Sequence, residues 1–270
     1  MAYKTLITGY PRIGENRELK KALESYWAGD IPINELKKKA AALRKTHWLF
    51  QKEVGIDFIS VNDFSYYDTM LDTCVMLGAI PQRFRMIEDA DERYFAMARG
   101  NAASLAMTMT KWFNTNYHYI MPELDDSLVF KADSSKLLAE YDEARRLGIE
   151  GKINIIGPLT FLGLSKTSGG ADPYDYFDAA LSAYIQVARD IAAHTESALI
   201  QFDEPIFVCA PSPKQLELLK KAYTVLTAVS DKLRIIVTTY FERSNEATAV
   251  LGGIPVWGLG LDFVHGARNI

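Results

Sequence analysis

Leu199-Ile200-Gln201-Phe202, the helical pattern running from Pro213 to Val229, and Arg234-Ile235-Ile236-Val237-Thr238 make one strand-helix-strand unit, and this unit decides the class of the fold. Two short β-rich runs joined by a long helix read as neighbouring parallel strands with a helical crossover. Moving outward, further β-rich runs lie at Thr5 to Thr8, Phe58 to Val61, Ala106 to Thr110, Ile153 to Ile156 and Val256 to Gly260. Helical patterns fill the gaps over Arg17 to Ala28, Asn34 to Val54, Ser134 to Leu147 and Tyr174 to Ser197. The rhythm predicts an α/β fold with a parallel sheet. Eight such units close a (β/α)8 barrel and fewer form an open sheet; the seven runs here fit a barrel interrupted before its eighth strand. The stretch from Tyr66 to Gly100 holds two helical patterns and reads as an insertion.

A chain of 270 residues, 49% hydrophobic, suffices for one large core, so a single domain over residues 1–270 is expected. With 30 Lys and Arg against 34 Asp and Glu, the net charge of -4 gives no global field for nucleic acid or an anionic membrane. The opening Met1 to Tyr10 is too short and mixed for a signal-peptide core, and no apolar run reaches the ~18 residues of a span. A cytoplasmic protein without membrane or nucleic-acid partners is the expectation. Cys74 and Cys209 form no CxxC pattern and read as buried, reduced thiols.

Ligands of parallel folds sit beyond the carboxyl ends of strands. The residues there include Gly9-Tyr10-Pro11-Arg12-Ile13-Gly14-Glu15-Asn16, Asn62-Asp63, Lys111-Trp112-Phe113-Asn114, Asp203-Glu204-Pro205, Thr239-Tyr240 and Asp262. In the helix beginning at Arg17, residues Leu19, Ala22, Leu23, Tyr26 and Trp27 form a buried stripe, with Asn16 the expected N-cap. Arg17, Lys20 and Lys21 stand on another face, with Arg12 in the loop before, although the positive end of a helix dipole disfavours cations. A solvated charged face paired with Glu18 and Glu24 is one account, and an anionic ligand is the other. Gly9 and Gly14 fit neither GxGxxG nor GxxxxGK[ST].

Lys111 could place an ammonium in the same mouth, and Trp112, Phe113, Tyr117 and Tyr119 either fill the core or face a flat heterocycle. Asp203 and Glu204 are adjacent and point to opposite sides of a strand, so they do not flank one bond as a glycosidase pair does. One of them could reach a central cavity; a structural role is equally open, as for Asp63 and Asp262. His47, His118, His194 and His265 have no metal-ligand spacing, and no GxSxG elbow is present. No catalytic residue and no metal ligand are expected in this chain.

Gly9-Tyr10-Pro11-Arg12-Ile13-Gly14 followed by Arg17-Glu18-Leu19-Lys20-Lys21-Ala22-Leu23 resembles the amino terminus of the cobalamin-independent methionine synthases. The similarity continues through Asn62 to Asp68, Leu77 to Phe84, Thr110 to Tyr119 and Gln201 to Pro205. The resemblance implies the N-terminal barrel of a two-barrel enzyme that moves the methyl group of 5-methyltetrahydropteroyl-polyglutamate to homocysteine. It implies that Arg17, Glu18, Leu19, Lys20 and Lys111 bind the folate polyglutamate. It also implies that zinc and homocysteine belong to a C-terminal barrel this sequence lacks, so that the chain alone is inactive. The alternatives are a stand-alone polyanion- or folate-binding module, and a small barrel enzyme using Asp203 or Glu204.

Overall fold

The computed structural model describes residues 3–269; Met1, Ala2 and Ile270, included in the expected 1–270 domain, lie outside the described residues. In chain order the first elements are α1 (Glu18–Ala28), α2 (Ile33–Glu53), β1 (Ser60–Val61), α3 (Thr69–Met76), α4 (Ala90–Arg99), β2 (Met109–Lys111) and β3 (His118–Ile120). Then come β4 (Glu123–Leu124), α5 (Ser135–Arg145), β5 (Lys152–Ile156), α6 (Pro158–Gly163), β6 (Lys166–Thr167) and α7 (Phe177–His194). The chain continues with β7 (Ala198–Asp203), α8 (Pro213–Thr227), β8 (Leu233–Thr238), α9 (Asn245–Leu251) and β9 (Gly258–Gly260). Residues up to Tyr67 with Lys136–Asn154 form one compact unit; Asp68–Ser135 with the chain from Ile155 onward form a second.

In the first unit α2 buries Leu36, Ala40, His47, Trp48 and Gln51 along one face. Ser60 and Val61 of β1 run parallel to Lys152 and Ile153 of β5. The run from Thr5 to Thr8, expected as a full strand, makes only a parallel bridge between Leu6 and Phe58. Side chains take over the ladder beyond it: Asn154 Nδ2 donates to the Thr8 carbonyl, and Asp63 Oδ2 accepts from Tyr10 N at 2.7 Å. Pro11 has no N–H with which to resume the ladder.

The second unit centres on β7, β8 and β9, all parallel, with Ala198 opposite Leu233, Asp203 opposite Thr238, and Thr238 opposite Gly260. All of β7 except Asp203 is buried, the pattern of a strand covered on both faces. Helix α8 begins as its sequence dictates: Ser212 and Gln215 form a capping box with Pro213 in the first turn. The insertion does hold two helices, α3 and α4.

The run expected as a third parallel strand behaves differently, because β2 pairs antiparallel with β3, Lys111 opposite His118. The chain reverses between them: Trp112 N donates to Tyr117 O at 2.8 Å, and the Thr115 hydroxyl donates to Trp112 O at 2.7 Å. Parallel pairing still dominates, so the chain is a mixed α/β protein with a mostly parallel sheet. No closed ring of paired strands occurs among the described residues, and none of their helices is long and apolar enough to cross a membrane.

After α3, Gly78 has φ +66, and a Cβ there would stand 2.5 Å from the Lys131 carbonyl oxygen and 2.9 Å from its nitrogen. That close approach lets Lys131 N donate to Leu77 O at 2.8 Å. Gly78→Ala combines a disfavoured φ with a backbone clash and should cost about 2 kcal/mol, read from the shift in urea midpoint. An unchanged midpoint would contradict this packing.

Candidate functional site

The first unit carries the basic helix start. Arg17 adopts left-handed backbone (φ 62), and its N–H donates to Gly14 O at 3.1 Å. Asn16 is therefore not the cap that local preference suggests. Glu18 turns its carboxylate back instead, accepting from Asn16 N at 3.0 Å and Asn16 Nδ2 at 3.2 Å. Its pKa falls, chiefly through a hydrogen bond from its own backbone N–H and also through those from Asn16. Leu19 is wholly buried. Arg12 is used by the fold: its guanidinium donates to the carbonyls of Tyr66 and Tyr67.

Arg17, Lys20 and Lys21 remain exposed. Lys20 lies 3.6 Å from Glu24, an open i,i+4 pair worth only a few tenths of a kcal/mol. Arg17 has no ion-pair partner among the described residues. Beyond the loop, the Tyr10 ring lies 4.7 Å from that of His47, whose pKa burial lowers. Burial raises the pKa of Asp63 despite the Tyr10 N–H and the neighbouring Lys152.

In the second unit Lys111 ends β2, exposed and likewise without an ion-pair partner among the described residues. Trp112 and Tyr119 are buried with ring centroids 5.5 Å apart, the core arrangement. Tyr117 is exposed. Phe113 and Phe241 both have positive φ, 51° and 88°, and their rings meet at 5.5 Å. Left-handed backbone costs a non-glycine residue roughly 1–2 kcal/mol, and a ring pair returns about 0.5–1.5. Each phenylalanine also meets its neighbour in sequence, Trp112 with Phe113 at 5.3 Å and Tyr240 with Phe241 at 4.8 Å, so the ring contacts together are of the same order as the strain. Phe241 was not singled out from the sequence; its place just beyond a strand was visible, but its backbone angle was not.

The adjacent carboxylates part company. Asp203 accepts from Gln201 Nε2 at 2.7 Å. Glu204 is fully buried, accepting from Leu159 N at 3.1 Å, Thr160 N at 2.7 Å and Tyr223 Oη at 2.9 Å. Burial lifts its pKa to about 7 against the pull of those donors. A Cβ on Gly157 would overlap this carboxyl, so the residue opening α6 is small because Glu204 occupies the space. The geometry gives Glu204 a structural task rather than access to substrate. Asp262 accepts from Val264 N and His265 N at 2.7 and 3.0 Å, tying a turn.

Cys74 is buried as expected, but Cys209 is exposed, because it follows the short helical turn Pro205–Val208 into the loop before α8. No group of three or more His, Cys, Asp or Glu able to hold a metal ion occurs among the described residues.

These features can be set beside known proteins. Residues 4–270 match the family model described as cobalamin-independent synthase, N-terminal domain. The 5-methyltetrahydropteroyltriglutamate--homocysteine methyltransferase of Desulforamulus reducens is 50% identical over 98% of this chain. Proteins of the same name from Streptomyces coelicolor and Mycobacterium tuberculosis are each 44% identical, over 99% and 98% of the chain. In each case the match covers 35% of the relative, so the chain spans about a third of the length of these curated proteins. A match of this extent shows that the chain belongs to the cobalamin-independent methionine synthase family, through the part that forms its N-terminal domain.

Proposed function

We propose that this chain is the polyglutamate-holding part of a cytoplasmic enzyme that transfers the methyl group of 5-methyltetrahydropteroyl-polyglutamate to homocysteine, forming methionine. Its parallel units are those of a (β/α)8 barrel, the N-terminal barrel of a two-barrel protein. Arg17, Lys20 and Lys111 take the tail carboxylates, while Glu18 and Leu19 frame the first turn that presents them. The observation that carries this reading is the exposed Arg17 and Lys20 at the start of α1. The positive end of the helix dipole disfavours cations there, and an anionic ligand removes the conflict.

A methyl group on a folate amine needs a strong nucleophile, and zinc-bound thiolate supplies one. The described residues of this chain do not fit zinc: they hold no suitable group of three donors. The metal and homocysteine are assigned to the C-terminal barrel, and this chain contributes by positioning. Purified alone, it should form no methionine from homocysteine and the methylated folate; detectable product would refute that division of labour.

The binding test is titration of 5-methyltetrahydropteroyl-triglutamate into the native chain and into a variant with Arg17, Lys20 and Lys111 all changed to alanine. Losing three charge-assisted contacts should weaken binding by about 30-fold or more, with the native affinity falling as salt rises. Equal affinities, or native binding insensitive to the number of glutamates, would remove these residues from the site.

A further inference from the structure

Phe241 stands just past the parallel strand β8, where ligands of parallel folds bind, and Phe113, just past β2 of the antiparallel β2–β3 pair, meets it there. Consecutive residues stitch the two segments together: the Trp112 side chain hydrogen-bonds Tyr240, and the Phe113 ring meets the Phe241 ring. Both phenylalanines are half-buried, so part of each ring faces out, and exposed Lys111 lies two residues before Phe113. A leucine or an alanine could not hold these backbone angles more easily, whereas glycine would hold them freely. Left-handed backbone at two half-buried rings beside a strand end is the kind of outlier that clusters where ligands are clamped.

Resting on the polyglutamate reading, we infer that the Phe113 and Phe241 rings seat the p-aminobenzoyl ring of the folate, while Lys111 takes the first carboxylates of the tail. The relatives' named substrate joins a pterin, a benzoyl ring and glutamates in that order, so the benzoyl ring is the aromatic group bonded directly to the tail. Two residues of chain place the Lys111 and Phe113 Cα atoms at most roughly 7 Å apart, no farther than one glutamyl unit reaches from the ring to its carboxylates. The benzoyl ring is neutral and flat and suits offset or edge contact with phenyl rings. The pterin, farther from the tail, lies outside this reach.

The test compares plain triglutamate with p-aminobenzoyl-triglutamate on the native chain, Phe113→Gly, Phe241→Gly and Phe241→Leu. The glycine variants keep the backbone path at these positive φ values, with a melting curve confirming that each is folded, and the leucine variant keeps apolar bulk without a ring. The benzoyl group should tighten native binding about tenfold. That gain should shrink to about twofold or less in each variant, with plain triglutamate affinity unchanged. A gain that persists in the variants, or none in the native chain, overturns the inference. If triglutamate fails to bind the native chain, the polyglutamate reading falls first. In that case p-aminobenzoate alone decides: quenching of tryptophan fluorescence that both glycine variants lose sustains the aryl seat beside Trp112, and no quenching removes it.

Discussion

Changing Glu204 to alanine is expected to destabilise the protein by about 4 kcal/mol, a large part of the stability of a single domain. The carboxylate is fully buried and satisfies Leu159 N, Thr160 N and the Tyr223 hydroxyl. Alanine leaves all three donors inside without an acceptor, each at a cost of roughly 1–3 kcal/mol before relaxation, and opens a cavity beside Gly157. Loosening should spread because Glu204 N also donates to Thr238 O, at 2.8 Å, joining the end of β7 to β8. Glu204→Gln keeps the volume and one acceptor oxygen but turns an amide toward a donor, so about 1–2 kcal/mol is expected. Urea denaturation of the two variants checks the order. A loss under ~1 kcal/mol for alanine would mean that these hydrogen bonds do not hold the segment.

The same residue marks how far the sequence could be read. Strands β5, β7 and β8 were legible because long β-rich runs between helical patterns admit few other fates. The rule that adjacent strand residues diverge separated Asp203 from Glu204 correctly, but only the fold supplies Tyr223, Leu159 and Thr160 as donors. The segment leading into Lys111 has the same β-forming composition, and its antiparallel return depends on the positive φ of Phe113 and the Thr115 hydroxyl bond to Trp112. Neither leaves an Asn-Gly signature. At α1, Asn16 is the better cap by local preference, yet Glu18 reaches back two residues and Arg17 takes the left-handed turn. The basic residues themselves were legible because they oppose the helix dipole, a conflict visible in composition and position alone.

Stability should fall as pH rises from about 4.5 to about 7, the reverse of ordinary acid denaturation, and two carboxylates of the second unit set the sign. Glu204 is lifted by burial from an ordinary 4.5 to about 7. Asp68, which accepts from Leu71 N and Ile120 N at 3.0 Å each, is lifted by burial from 3.8 to about 7. Between the ordinary and the raised values the folded chain binds protons that the unfolded chain has released. Their contribution is complete below the unfolded pKa and is lost as pH climbs through the folded one. Each could account for up to ~3 kcal/mol across that interval. Asp63 acts in the same direction. His47 acts against them, since burial lowers its pKa and the unfolded imidazole takes up the proton first as pH falls below its ordinary 6.5. Carboxylates held low, such as Glu123 beside Arg83, matter only below their ordinary range, where their stabilisation disappears with acid. Denaturation of native protein, Asp68→Asn, Glu204→Gln and the double variant from about pH 5 to about pH 8 isolates the two groups, because His47 and Asp63 are common to all. The double variant should lose most of the downward slope and each single variant part of it. If native and double-variant profiles run parallel through the whole interval, Asp68 and Glu204 are ionised throughout, and the hydrogen bonds they accept outweigh their burial.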